Sequence, residues 1–472
     1  MKKVVVIYDD SRKPDQEIRV ITGHKSFGNT IFKRQSLRQR AGIKFLEYET
    51  VEAFLEAGEA YEKKDEYTGR DLSVFKIYSD HEPVDKEAVR ILLEKSLYVN
   101  ENYAVMDGDE IAAVMYPSFS DWLNTGSSAD ESAYEKVVSS AFTALSDVNN
   151  FRHFITSGFD ARFFNALKGD EYTVIKTSQN VDKLRMEYKY FTLLPPDMKQ
   201  WYGTVFDYRE DGTTASYSME RYHMTDLALR YVHGAIDENE FRDLLEMLFH
   251  FIQIRKKREV TDEEYETESN KLYIDKVDER IEALKELEGY NEIKSYIELG
   301  TGYADIDEII DRYKSLYRRI AGGRRFRKVM VVAHGDLCFS NILYNHEARL
   351  LKLIDPKGAI NEDGLYMNPY YDIAKLSHSI CGSYDYFNSD QYEISIGPDM
   401  KLSLKVDSDN DRFIKIFREY LKKNDLDYRL IRLYEASLFL SMLPLHIDRP
   451  KKVLGFILNA IGILDEIEND SI

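Results

Sequence analysis

Two short apolar segments, each running directly into oxygen-bearing polar side chains, constrain this chain more than any other feature. Val329-Met330-Val331-Val332 leads into His334, Gly335 and Asp336, with Asn341 five positions beyond the aspartate; Leu350-Leu351-Lys352-Leu353-Ile354 leads into Asp355. Aliphatic runs of this length bounded by Gly and Asp read as strands ending in turns. Three oxygen-bearing side chains therefore leave the ends of two neighbouring strands. Carboxylate and amide oxygens suit Mg²⁺, a hard cation usually held by one or two protein groups plus substrate phosphates. The expected chemistry is phosphoryl transfer. Alone, His-Gly-Asp describes an ordinary turn, with Gly accepting positive φ and Asp capping the residues after it. The offset of Asn341 and the second aspartate at the end of the next strand favour a site.

The order His-Gly-Asp-x-x-x-x-Asn-Ile-Leu, then Ile-Asp-Pro, resembles the catalytic core of the protein-kinase-like phosphotransferases, specifically the aminoglycoside phosphotransferase and choline kinase branch, over about residues 151 to 465. Protein kinases carry His-Arg-Asp and Asp-Phe-Gly at these places. Here Gly335 replaces the Arg and Pro356-Lys357 follows the second Asp, which favours the small-molecule branch. The resemblance implies that Asp336 accepts or orients the proton of a substrate hydroxyl. It also implies that Asn341 and Asp355 hold Mg²⁺ on the phosphates of ATP or GTP.

The resemblance extends upstream. Phe154 to Phe164 has the strand, tight turn, strand form of a nucleotide-covering loop, with Ser157 and Gly158 at the turn. Tyr172-Thr173-Val174-Ile175-Lys176 is similar to the strand whose Lys contacts the α- and β-phosphates, and Glu187, opening the next helix, is its expected ion-pair partner. Ser216 to Tyr222 resembles the strand entering the interlobe hinge, with Glu220 and Tyr222 beside the adenine. Asp372 and His334 are expected to support the catalytic loop rather than to react.

A chain of 472 residues exceeds the size at which single cores stop growing. The expected domains are residues 1–125, 126–222 and 223–472. The fold class is α/β and α+β multidomain: a small N-terminal α/β domain, then a bilobal kinase-like fold with a β-rich N-lobe and a mostly helical C-lobe. In the first domain, Val4-Val5-Val6-Ile7-Tyr8 reads as a buried strand ending at Asp9-Asp10, and Lys86 to Tyr98 as an amphipathic helix with Ala88, Ile91, Leu92 and Lys95 along one face. Asp107-Gly108-Asp109 has the Asp-x-Asp form of a metal-holding motif, yet Asp-Gly between two apolar runs is a strong hairpin signal. The basic stretch from Thr22 to Gly42, with Lys25, Lys33, Arg34, Arg38 and Arg40, is a candidate phosphate cradle, but the glycine-rich loop expected after the first strand is missing. The domain reads as a degenerate nucleotidyltransferase-like or glycosyltransferase-like module. Asn124 to Asp130 reads as a linker, Glu131 to Val148 as a helix, and Lys256 to Arg319 as a solvated helical hairpin.

Two cysteines, Cys338 and Cys381, argue against a disulfide framework and for a reducing compartment. The start lacks a signal-length apolar region and no run reaches membrane-spanning length. A cytoplasmic protein without membrane insertion is expected. A formal charge of -19 disfavours a nucleic-acid partner. The expected function is Mg²⁺-dependent transfer of the γ-phosphoryl group of ATP or GTP to a hydroxyl of an amino alcohol, aminoglycoside or sugar, with surface polysaccharide or lipid-headgroup metabolism as its setting by analogy. The alternative is a nucleotide-binding pseudokinase or regulatory module attached to an N-terminal sugar-nucleotide-type transferase.

Overall fold

The computed structural model describes residues 2–125, 130–156, 165–169, 172–322 and 324–469, with the backbone alone at 156 and 165–169. The chain divides into two compact units, residues 1–160 with 233–235, and residues 161–232 with 236–472. The expected boundary at 125 thus falls inside the first unit.

The first unit is built on a six-stranded mixed sheet in the order Val51–Glu56, Lys3–Asp9, Leu72–Tyr78, Glu110–Tyr116, Tyr103–Asp107, Glu135–Val138. The first three strands are parallel, and Glu110–Tyr116 pairs antiparallel with both of its neighbours. Val4, Val5, Val6 and Ile7 are all fully buried. Period-two alternation sends Val4 and Val6 into one core and Val5 and Ile7 into another, which is why this strand is continuously apolar.

Several local expectations change here. Asp107-Gly108-Asp109 is a hairpin turn with Gly108 at φ +57°, in the left-handed region that glycine adopts without strain. The helix Lys86–Ser96 buries Val89, Leu92, Leu93 and Ser96, so its inward face is rotated from the expected one and Ile91 is exposed. Residues 131–148 do not form one helix: after a single 3-10 turn at Glu131–Ala133, Glu135–Val138 pairs in parallel with Tyr103–Asp107, and Phe142–Ala144 pairs with His81–Pro83. Sheet-edge pairing overrides local helix propensity there. Conversely, Phe154 and Ile155 lie in a helix, Val148–Thr156, not in a strand. Asp147 accepts from the backbone N–H groups of Asn149 and Asn150 at its start, and Phe151 and Ile155, four apart, are buried. Within the basic stretch Arg38 pairs with Glu56 and Arg40 with Glu82, which also pairs with Lys44 just beyond it.

The second unit combines a β-sheet lobe with many helices. Its four-stranded antiparallel sheet runs Asn165–Gly169, Thr173–Ser178, Ala215–Glu220, Val205–Glu210, and the helix Val181–Leu193 packs on it. The helical part includes Glu238–Ile254, capped by Asp237, and Tyr428–Met442, which is buried along nearly its whole length. Residues 256–319 do not form a solvated hairpin. The helices Lys276–Lys285, Tyr290–Gly300 and Ile306–Ile320 bury Ile281, Ile293, Ile297, Ile309 and Tyr313 in a large core. Apolar residues spaced three and four apart among many charges carry that face.

Candidate active site

The two apolar segments are strands as expected, Val329–Val332 and Leu350–Leu353, but they are not neighbours in one sheet. The first pairs with Lys257–Glu259 and Tyr366–Met367, the second with Ile342–Asn345. The loops beyond them are joined instead by backbone and imidazole hydrogen bonds. Ile354 N–H donates to the Asn341 carbonyl at 3.0 Å and Lys357 N–H to the His334 carbonyl at 3.0 Å. His334 Nδ1 accepts from the Asp336 N–H at 3.2 Å, so its ring proton sits on Nε2, which donates to the Ile354 carbonyl at 2.9 Å. Burial lowers the His334 pKa, which keeps the ring in this neutral form. His334 is therefore a strut between the two loops.

Asp372 holds the same loop from beneath. Its carboxylate accepts from the N–H groups of His334 at 3.0 Å and Gly335 at 2.8 Å, and pairs with Arg255 at 2.9 Å, all buried. Gly335 sits at φ +79°, and a Cβ there would lie 2.7–2.8 Å from the Lys357 side chain. The glycine serves both the turn and this close approach.

Asp336 leaves the loop with its side chain 42% exposed, so it is anchored in the protein and open on one side. Asn341 Nδ2 donates to the Asp336 carbonyl at 2.9 Å and to its Oδ2 at 3.1 Å, while Lys375 Nζ lies 2.9 Å from Oδ1. Desolvation alone would raise this carboxyl, but Lys375, with help from His334 and Asn341, brings its pKa below the usual value. Burial opposes the charge on Lys375, and Asp336 more than restores it. Asp336 is thus an ionised carboxylate with both oxygens oriented.

Lys176 is central to the sheet side of the site. It lies opposite Tyr217 in the sheet and is 5% exposed. Its ammonium donates to Glu187, from the helix Val181–Leu193, and to Asp355 Oδ1 at 2.6 Å. Tyr217 Oη donates to the same Glu187 oxygen. Burial works against the charged lysine, but Asp355 and Glu187 together hold its pKa above the ordinary value. Burial raises the Glu187 pKa, against the pull of Lys176. Asp355 itself has φ +54°, sparsely populated for a side chain other than Gly, Asn or Asp, and backbone of this kind collects at functional sites.

The residues expected to hold Mg²⁺ fit that ion chemically. Among the described residues no hydrogen bond engages Asn341 Oδ1 or Asp355 Oδ2, and Asp355 is half exposed. Three carboxyl groups, Asp336, Asp355 and Glu187, meet two lysines, Lys176 and Lys375, in these contacts, and carboxylate and amide oxygens are the ligands a hard cation takes.

Of the remaining expected residues, Glu220 and Tyr222 lie together at the end of the strand Ala215–Glu220, Tyr222 Oη donating to Glu220 Oε2 at 2.6 Å. Ser157 and Gly158 lie outside the described residues. Lys375 carries no motif of its own. The signal that points to it is its position one helical turn after Asp372 on the helix Tyr371–Ile380, the face that meets the 334–341 loop. Arg255 and Tyr217 have no signal at all in their local sequence.

No protein-family model and no curated protein matches the chain. Among solved structures it is similar to aminoglycoside phosphotransferase APH(3'')-Id from Streptomyces rimosus, in complex with ADP and streptomycin, at 15% identity over 63% of this chain and 97% of that one, with a TM-score of 0.36. A thermostable mutant of aminoglycoside phosphotransferase APH(4)-Ia, in complex with AMP-PNP and hygromycin B, aligns at 10% identity over 66% of this chain and 97% of that one, with a TM-score of 0.36. Aminoglycoside-3'-phosphotransferase of type VIII aligns at 11% identity over 61% and 98%, with a TM-score of 0.32.

Proposed function

We propose that the second unit is a small-molecule kinase that transfers the γ-phosphoryl group of ATP or GTP to a hydroxyl. The observation that carries this reading is the buried Lys176 held between Glu187 and Asp355, in the same unit as an oriented, ionised Asp336. In phosphoryl transfer the protein does little covalent chemistry and catalyses by positioning and electrostatics. Lys176, preorganised by Glu187, neutralises phosphate oxygens. Asp336, fixed by Asn341 and Lys375, aligns the attacking hydroxyl and accepts its proton. Mg²⁺ held by Asn341 and Asp355 would add charge neutralisation on the phosphates. Glu220 and Tyr222 border the adenine. The acceptor is a small hydroxylated molecule, an amino alcohol, aminoglycoside or sugar; surface polysaccharide or lipid-headgroup metabolism and a cytoplasmic location are the setting that goes with this reading.

The test is thermal stabilisation by nucleotide with and without Mg²⁺, because a ligand that binds only the folded state raises its melting temperature. ATP or GTP should stabilise the protein in a Mg²⁺-dependent manner. Asp355→Ala should remove that dependence, while Asp336→Asn should keep it and lose about 10²–10⁴-fold in turnover of an acceptor identified by screening hydroxylated compounds. Undiminished Mg²⁺-dependent stabilisation of Asp355→Ala would overturn the assignment.

A further inference from the structure

We propose that the first unit carries a divalent transition-metal site built from His81 Nε2 and the Glu110 carboxylate, with Asp80 orienting the imidazole. The three residues come together because Asp80 and His81 lie just beyond the central strand Leu72–Tyr78, whereas Glu110 opens the strand that pairs with it. Their ligating atoms all lie within 4.8 Å of one another.

The imidazole is held from behind by a carboxylate and presents its other nitrogen to Glu110. The His81 side chain is fully buried, and its Nδ1 lies 2.8 Å from Asp80 Oδ1. Asp80 is in turn fixed by Arg12 Nη1, at 3.2 Å and 3.1 Å from its two oxygens. With Arg12 on both of its oxygens, Asp80 is placed to accept the Nδ1 proton. In that tautomer the ring's lone pair is on Nε2. That atom is buried and has no hydrogen-bond partner, an arrangement that is costly unless something else engages it.

What faces it is Glu110 Oε2, at 3.8 Å. This separation is too long for a hydrogen bond. It suits an ion bound at about 2.0–2.2 Å to both a histidine nitrogen and a carboxylate oxygen. A carboxylate on the far ring nitrogen is the usual outer partner of a metal-bound histidine, fixing tautomer and ring orientation. Ser146 Oγ donates to Glu110 Oε2 at 2.8 Å and steadies it, and the Glu110 side chain is 51% exposed, which leaves solvent to complete the coordination. A mixed imidazole and carboxylate set favours Zn²⁺, Co²⁺ or Mn²⁺ over Mg²⁺ or Ca²⁺. The neighbouring Asp107 and Asp109, despite their Asp-x-Asp form, belong to no such cluster among the described residues.

The experiment is titration of the chelator-stripped full-length protein with Co²⁺, read by its visible absorption, and with Zn²⁺ by calorimetry. One equivalent should bind in the parent protein. Glu110→Gln, a change at a half-exposed position that leaves the core intact, and His81→Gln should each weaken it at least about tenfold. Asp355→Ala, in the other unit, should leave this equivalent unchanged. Absence of binding in the parent, equal binding by Glu110→Gln, or loss of the equivalent in Asp355→Ala would each overturn the site. A His81→Gln protein that fails to fold leaves Glu110→Gln to decide, and none of these results depends on nucleotide binding by the second unit.

Discussion

Asp336 is ionised because a lysine from a separate helix stands beside it. Lys375 and the 334–341 loop meet only in the folded chain, and their 2.9 Å contact lowers the carboxyl's pKa. That contact fixes the sign of the pH effect. In the proposed role Asp336 works as the anion, so turnover should fall as pH drops through its pKa, and removing Lys375 should move that pKa upward. Lys375→Met is therefore expected to shift the acidic limb of the kcat/KM profile to higher pH. A profile that is merely scaled down, with its acidic limb in place, would show that Lys375 acts on structure alone. The same helix turn explains why Asp372 and Lys375 act on one loop: one binds its backbone and the other its reactive side chain.

At the scale of the element, the loop carrying Asp336 is a glycine turn over a buried ion pair. Gly335→Ala places a Cβ against Lys357 at positive φ and is expected to cost about 1–3 kcal/mol, read from the urea midpoint. Asp372→Asn leaves the Arg255 guanidinium buried without its counter-charge. Breaking a buried pair from one side costs about 3–5 kcal/mol, so this variant should unfold at markedly lower urea. Loss of activity with unchanged stability in Asp372→Asn would contradict its structural role. By contrast the ion pairs on the outer helix surfaces, such as Arg90 with Glu87 and Glu94, are solvent-exposed, and pairs of that kind contribute little.

Across the whole molecule, stability should depend on pH through carboxyls buried as neutral acids. Burial pushes Asp385 up to about 7, with Asp226 adding to the rise, and Asp226 up to about 6. A folded-state pKa above the unfolded value means that the folded state binds the proton more tightly. The stabilisation from Asp385 is fully present below the ordinary carboxyl pKa of 3.8 and is lost as pH rises to about 7. A displacement of that size corresponds to at most about 4 kcal/mol. Asp385→Asn, which keeps the shape and removes the charge, should flatten the melting temperature in this window and melt above the parent protein at pH above 7.

The identity and order of the chemical groups were readable in the linear chain because they are local. His334, Gly335, Asp336 and Asn341 sit on one loop, Lys176 ends one apolar run, and turn chemistry marks where such elements stop. The continuously apolar Val4 to Ile7 likewise declares a strand buried on both faces. What lies between distant segments was not readable. Strand pairing made 135–138 a sheet edge where local propensity reads helix, and core packing buried one face of the charged helices from 276 to 320. It also put the strands Val329–Val332 and Leu350–Leu353 in different sheets, with the loops beyond them tied by His334 rather than by a shared ladder. Lys375 on Asp336, Tyr217 on Glu187, Arg255 under Asp372 and Glu110 opposite His81 are contacts between segments far apart in the chain. Local sequence carries the chemistry of a side chain and the conformation of its neighbours. Which charge or lone pair faces it across the fold is set by long-range packing, and only the tertiary structure decides that.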